Sequence, residues 1–135
     1  FLSKKHFEKA LDINPRNAYV LNNYSYYLSL RGENLKKAEE LSFLANEIEP
    51  NNSSFLDTYA WVLYKSEKYK DAKEWQMKAI EASENPSATL MEHLGDILFM
   101  LGDEKNALEK WKKALELSDS NEKLVNKIAD KTLYE

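Results

Sequence analysis

The chain has 135 residues, 43% of them apolar and 31% charged, with a net charge of −4, so it is one domain's worth of soluble material. Lys and Glu alternate along every segment, which argues against nucleic acid or an anionic membrane surface as main partner, since both favour basic patches. No run of about 18 apolar residues exists, so no bilayer-inserted segment is expected. The absence of cysteine removes disulfides, thiolate metal sites and cysteine nucleophiles, and fits cytoplasm and periplasm equally.

Only three glycines and three prolines leave little room for a turn-rich β fold, and the apolar spacing is helical throughout. Residues 1–13 carry a stripe of Phe1, Leu2, Phe7, Ala10, Leu11 and Ile13, stopped by Asn14-Pro15, because the residue before a proline is pushed out of the α region. Asn17 is the candidate cap of a helix with Leu21, Tyr24, Ser25 and Leu28 on one face, ending at Arg31-Gly32. A partner helix from about Asn34 turns Leu35, Ala38, Leu41, Ala45 and Ile48 inward and closes at Glu49-Pro50-Asn51-Asn52. Ser53 or Ser54 is expected to cap the next helix, whose buried row is Leu56, Tyr59, Ala60 and Leu63. After a turn at Ser66-Glu67-Lys68, the chain returns with Tyr69, Ala72, Trp75, Ala79 and Ile80. Asn85-Pro86 reads as a helix start, with Asn as cap and Pro in the first turn. That helix buries Met91, Leu94, Gly95 and Leu98, turns at Gly102-Asp103, and returns with Ala107, Trp111, Ala114 and Leu115. The polar break Ser118-Asp119-Ser120-Asn121 can cap a last helix, with Leu124, Val125, Ile128, Ala129 and Leu133 inward and Glu122, Lys123, Lys127 and Lys131 facing away.

The small residues repeat. Ser25, Ala60 and Gly95 are spaced 35 and 35, and Ala38, Ala72 and Ala107 are spaced 34 and 35. Self-similarity at such a period marks a repeat array. A large side chain where two helices cross closely would separate their axes, so these positions stay small, and Tyr24, Tyr59, Trp75 and Trp111 fill the space beside them. The expectation is all-α: an α-solenoid of antiparallel helix pairs with eight helices in one domain over residues 1–135. It divides into a half repeat (1–15), repeats at 17–50, 52–84 and 86–118, and a capping helix (120–135) that shields the last apolar face. Opening in mid-repeat suggests an excerpt of a longer protein.

Leu94-Gly95, Gly102-Asp103, Ala107, Trp111 and Ala114 resemble the tetratricopeptide repeat, and Leu30-Arg31-Gly32-Glu33-Asn34 with Ala38 looks like its bacterial branch. The likeness runs from residue 1 to about 118. Ser25 and Ala60 stand where the family has glycine in the first helix, Glu67 where it has a turn glycine, and Asp119 where it has a closing proline. The resemblance implies a right-handed superhelix that binds a protein or peptide on a concave wall made by the first helix of each pair. Its groove positions fall on Tyr19, Asn22, Asn23 and Tyr26, then Asp57, Thr58, Trp61, Tyr64 and Lys65, then Glu92, His93, Asp96 and Phe99.

An exposed aromatic and polar row suits peptide binding, whereas Tyr26, Trp61, Tyr64 and Phe99 could equally pack between repeats. Asp57, Glu92 and Asp96 stand where a carboxylate clamp would need positive charge, so a neutral or basic segment is the expected ligand. Glu92, His93 and Asp96 invite a metal reading, but zinc wants three or four ligands and the only other histidine, His6, lies in another repeat. No nucleophile elbow, phosphate-cradling loop or paired-carboxylate pocket is visible, so no enzyme, metal or cofactor is expected. The exposed end at residues 1–13 supports a second possibility, self-association of the array into a homodimer.

Overall fold

The computed structural model describes residues 3–118 and 121–132, and these form eight α-helices and no strand. They are α1 (Lys4–Ile13), α2 (Ala18–Arg31), α3 (Leu35–Ile48), α4 (Ser53–Lys65), α5 (Tyr69–Glu81), α6 (Ala88–Met100), α7 (Glu104–Leu117) and α8 (Glu122–Asp130). Phe1 and Leu2 of the opening stripe, Asp119 and Ser120 of the polar break, and Leu133 of the last helix lie outside the described residues. Consecutive helices pack on one another from α1 to α8, and α2, α4 and α6 also touch in sequence, which makes them the inner row of a solenoid.

Each pair closes over its small residues. Ala38, Ala45, Ala60, Ala72, Ala79, Ala107 and Ala114 have no exposed surface. The Ser25 hydroxyl, also fully buried, donates to the Ala38 carbonyl at 2.6 Å, so α2 and α3 approach within the reach of one short side chain. At Gly95 the crossing is closer still. A Cβ there would lie 2.4 Å from Trp111 Cδ1 and 2.5 Å from its Nε1, so glycine is required by the indole lying against the backbone. The period places Trp111 level with Gln76 and Ser42, spaced 35 and 34, and both are fully buried; Trp75, one residue earlier, is only half-buried.

The helix starts follow the same period. Asn17, Asn52 and Ser87, spaced 35 and 35, cap α2, α4 and α6, each accepting from the backbone N–H three residues on. Asn34, Asp103 and Asn121 cap α3, α7 and α8 in the same way. Two expected starts are therefore corrected. Ser53 and Ser54 are already helical because Asn51 turns the chain at φ 67° and leaves Asn52 extended. Asn85-Pro86 stays outside α6, whose cap is Ser87.

Four placements of single side chains also differ from expectation. Ile13 is 81% exposed because it falls out of phase with Phe7 and Leu11 at the end of α1. Val125 and Ala129 are exposed as well. Lys127, expected to face away, is buried, since it lies one turn beyond fully buried Leu124 on the docked side of α8.

The turns inside the three pairs match residue for residue. Gly32 (φ 64°), Glu67 (φ 63°) and Gly102 (φ 87°) all take the left-handed conformation, spaced 35 and 35. Glutamate at that conformation is strained by its Cβ. Glu67→Gly is expected to stabilise the fold by about 0.5–1 kcal/mol, the left-handed penalty less the extra chain entropy of glycine. Urea unfolding would measure it. In the opposite sense, Gly95→Ala should destabilise by about 1–3 kcal/mol, because the added methyl pushes the Trp111 indole out of its seat. A loss below a few tenths of a kcal/mol in the same titration would contradict that packing.

Candidate functional site

The inner row carries the candidate residues, and the 35-residue spacing arranges them in columns. One column is Asn22, Asp57, Glu92 and Lys127, spaced 35 at every step. The next holds Asn23, Thr58 and His93, and the one a turn further holds Tyr26, Trp61 and Asp96.

At the middle, Asp57 is held from two neighbouring helices. Gln76 Nε2 on α5 donates to Asp57 Oδ1 at 2.9 Å and also to the Leu90 carbonyl at 3.0 Å. His93 Nδ1 on α6 lies 2.9 Å from the same Oδ1; a carboxylate only accepts, so Nδ1 donates. The imidazole stacks on the Trp61 indole at 4.1 Å and 18°, and Tyr64 stacks on Trp61 at 4.7 Å and 16°. Lys65 Nζ sits 5.3 Å from the centre of the Trp61 ring, within cation–π range. Asp57, Trp61, Tyr64, Lys65 and His93 are thus brought together. Tyr64 is the buried support of this group, while Trp61 and Lys65 keep part of their surface open.

Toward the C-terminal end the wall closes. Asp96, 6% exposed, accepts from Trp111 Nε1 at 3.0 Å and from Lys127 Nζ at 3.0 Å, and Lys127, 2% exposed, also pairs with Glu92 at 2.6 Å. Burial pushes the Asp96 carboxyl above its ordinary range, against the opposing pull of Lys127 and the Trp111 N–H. Burial alone would depress the Lys127 ammonium, but Asp96 and Glu92 outweigh it and leave it raised. Phe99, half-buried, rests 5.7 Å from Trp111.

The expectation of an open acidic wall is corrected here. α8 covers Glu92 and Asp96 with its own cation, and Asp57 is engaged by His93 and Gln76. Asn22 and Thr58 are buried too, the latter donating its hydroxyl to the Ser54 carbonyl. On α2 the row stays open: Tyr19 is 62% exposed and lies edge-on to Phe55, and Asn23 and Tyr26 are exposed. Among the described residues no three His, Asp or Glu side chains gather as metal ligands. Two residues of the network, Gln76 and Lys127, belong to no sequence-based expectation of the site, although Lys127 lies one period beyond Glu92 and Gln76 one period before Trp111.

Residues 6–40 and residues 54–86 each match a tetratricopeptide repeat model. The TPR repeat-containing protein PA4667 of Pseudomonas aeruginosa is 30% identical over 82 residues, covering 61% of this chain and 14% of that protein. Among solved structures, YrrB, a TPR protein with an unusual peptide-binding site, matches with a TM-score of 0.76 at 26% identity, over 90% of this chain and 62% of that one. The first TPR of Spaghetti (RPAP3), bound to an HSP90 peptide, matches with a TM-score of 0.76 at 18% identity, over 84% of this chain and 88% of that one. The chain therefore spans only a small part of PA4667 and somewhat under two thirds of YrrB.

Replacing Lys127 by methionine removes the cation that faces Glu92 and Asp96 in a buried setting. Lys127→Met is expected to cost roughly 3–5 kcal/mol, the usual result of breaking one side of a buried pair. Because the Lys127 value is raised in the folded state, its contribution is complete below the ordinary lysine value and is lost as pH rises through the folded one. Denaturation of both proteins from neutral to strongly alkaline pH checks this: the gap between them should narrow only at the alkaline end.

Proposed function

This chain belongs to the tetratricopeptide repeat family, and from that premise we propose that it is a non-catalytic scaffold holding an extended segment of a partner protein along α2, α4 and α6. The family fold is in general a protein–protein interaction module, and peptide-bound relatives support a protein partner for this chain as well. The observation that carries the groove reading is Trp61. Its indole is stacked between His93 and Tyr64, stiffened from below through Asp57 and Gln76, and left partly open with Lys65 beside it. A large aromatic surface held rigid before binding loses little entropy when a partner arrives, which is the property of an anchor.

The open tyrosines of α2 extend the same wall toward the N-terminal end, so the segment would run from Tyr19 and Tyr26 to Trp61 and stop where α8 closes the third repeat. The wall's carboxylates are engaged by Lys127, Gln76 and His93, and Lys127 and Lys65 are themselves engaged, so among the described residues the wall presents no free cation to receive a C-terminal carboxylate. A neutral or basic segment suits the wall better.

The test is a selection of displayed peptides on the immobilised protein, followed by calorimetric titration of the best uncharged, basic and acidic sequences. Uncharged or basic sequences are expected to bind, and Trp61→Ala to weaken them by about 2 kcal/mol or more, the range of an interface hot spot. A thermal melt establishes that the variant is folded. Equal affinity in wild type and variant, or consistent selection of acidic sequences, overturns the proposal.

A further inference from the structure

A second surface lies on the opposite side of the array, where the outer helices α3 and α5 each pack on α4 and leave a furrow between them. The furrow is an open cleft of about 650 Å³, within the range of about 300–1,000 Å³ typical of ligand sites. Its walls are predominantly apolar, formed by Phe43 and Pro50 on one bank, Trp75 on the other and Leu56 below. The aromatic lining is fixed from beneath. Tyr59 stands edge-on to Trp75 at 4.8 Å and lies 5.9 Å from Phe43. Asn46, also lining the cleft, spends its amide nitrogen on the Ser42 and Phe55 carbonyls, which ties α3 to α4 at the floor.

The rim carries a charge pattern set by the repeat. Glu47 and Glu81 occupy the same position in successive outer helices, 34 residues apart, and stand on the two banks of the cleft. Both are exposed, and among the described residues neither is paired with a cation. The remaining charge on the rim, Lys78, lies 4.3 Å above the Trp75 ring and 4.0 Å from Glu74, so it is already engaged and offset. An apolar trough flanked by two free carboxylates is complementary to an apolar side chain flanked by two basic ones.

We propose that this cleft is a second docking surface, independent of the inner groove, for a partner segment in which a large apolar residue is bordered by Lys or Arg. Phe43 and Trp75 take the apolar side chain, and Glu47 and Glu81 take the cations at either end. Two surfaces on opposite faces would let one array hold two partners at once.

The probe is a fluorescein-labelled, end-blocked peptide Lys-Lys-Leu-Phe-Lys-Lys, with Glu-Glu-Leu-Phe-Glu-Glu as its charge-reversed control, read by fluorescence anisotropy. Wild type is expected to bind the basic peptide at least tenfold more tightly than the acidic one. The double variant Glu47→Lys with Glu81→Lys, at two exposed positions, should lose that preference, and Phe43→Ala should weaken binding several-fold. On a Trp61→Ala background, which lacks the groove's anchor, the preference for the basic peptide and its dependence on Glu47, Glu81 and Phe43 should persist, which separates this surface from the inner groove. No binding, equal binding of the two peptides, or indifference to the Glu47 and Glu81 reversal overturns the proposal. Loss through Trp61→Ala assigns the peptide to the groove instead. A concentration-dependent dimer in sedimentation that Phe43→Ala disperses assigns the cleft to a second copy, and likewise overturns it.

Discussion

The close crossing of paired helices is the constraint on which the whole array depends. At Ser25 and Gly95 the inner helix lies directly against the outer one, at the Ala38 and Ala107 carbonyls, and Ala60 and Ala72 stand at the same positions of the period with zero exposure. Once the axes are that close, the volume beside them must be filled by something specific. Tyr24 and Trp111 do so while spending their polar atoms on Glu8 and Asp96. The third pair takes the extreme form: glycine on one side, indole on the other. Packing of this kind fixes the angle of each pair, and the angle of each pair fixes where the inner row points.

The inner row shows what repetition leaves free. The column Asn22, Asp57, Glu92, Lys127 keeps its place while its chemistry changes from amide to carboxylate to cation. At the second repeat this produces a polar clamp under an aromatic stack, and at the third it produces a buried ion cluster sealed by α8. The same geometry thus yields a partly open anchor and a closed lid within one chain. Charge on the inner wall is for this reason largely consumed internally, and the free carboxylates sit on the outer helices.

Much of the fold was legible because the small residues and caps obey one period. The eight helices, their pairing and the three matched turns follow from Ala38, Ala72 and Ala107 together with Gly32 and Gly102. The expected caps Ser53 or Ser54 and Asn85 are of the same residue types as the observed caps Asn52 and Ser87, so residue type misplaced them, whereas the step from Asn17 to Asn52 to Ser87 separates them. Burial of charge was the part least visible. A lysine on a terminal helix is assigned to solvent by its chemistry, and only its position, three residues after Leu124 and 35 after Glu92, places Lys127 inside. Gln76 was hidden for a different reason: its partners Asp57 and Leu90 lie on other helices, and local spacing says nothing of contacts made across a crossing.

The clamp on Asp57 has a mechanical consequence. Between the first and second repeats the inner row is joined by rings and aliphatic groups, with Tyr19 against Phe55 and Val62 among Tyr24, Leu28 and Ala38. The hydrogen bonds across that joint, from Asn46 to the Phe55 carbonyl and from Lys68 to Glu39, start from residues outside the inner row. The apolar contacts of the inner row are non-directional and tolerate sliding. Between the second and third repeats the joint is bolted by hydrogen bonds from Gln76 and His93 to one carboxylate oxygen, and hydrogen bonds weaken steeply when bent. The inner wall is therefore held unequally, by apolar contact near Tyr19 and Tyr26 and by directional hydrogen bonds at Asp57. Along that wall, a partner that shifts the repeats slides rings past one another at the first joint but must bend hydrogen bonds at the second.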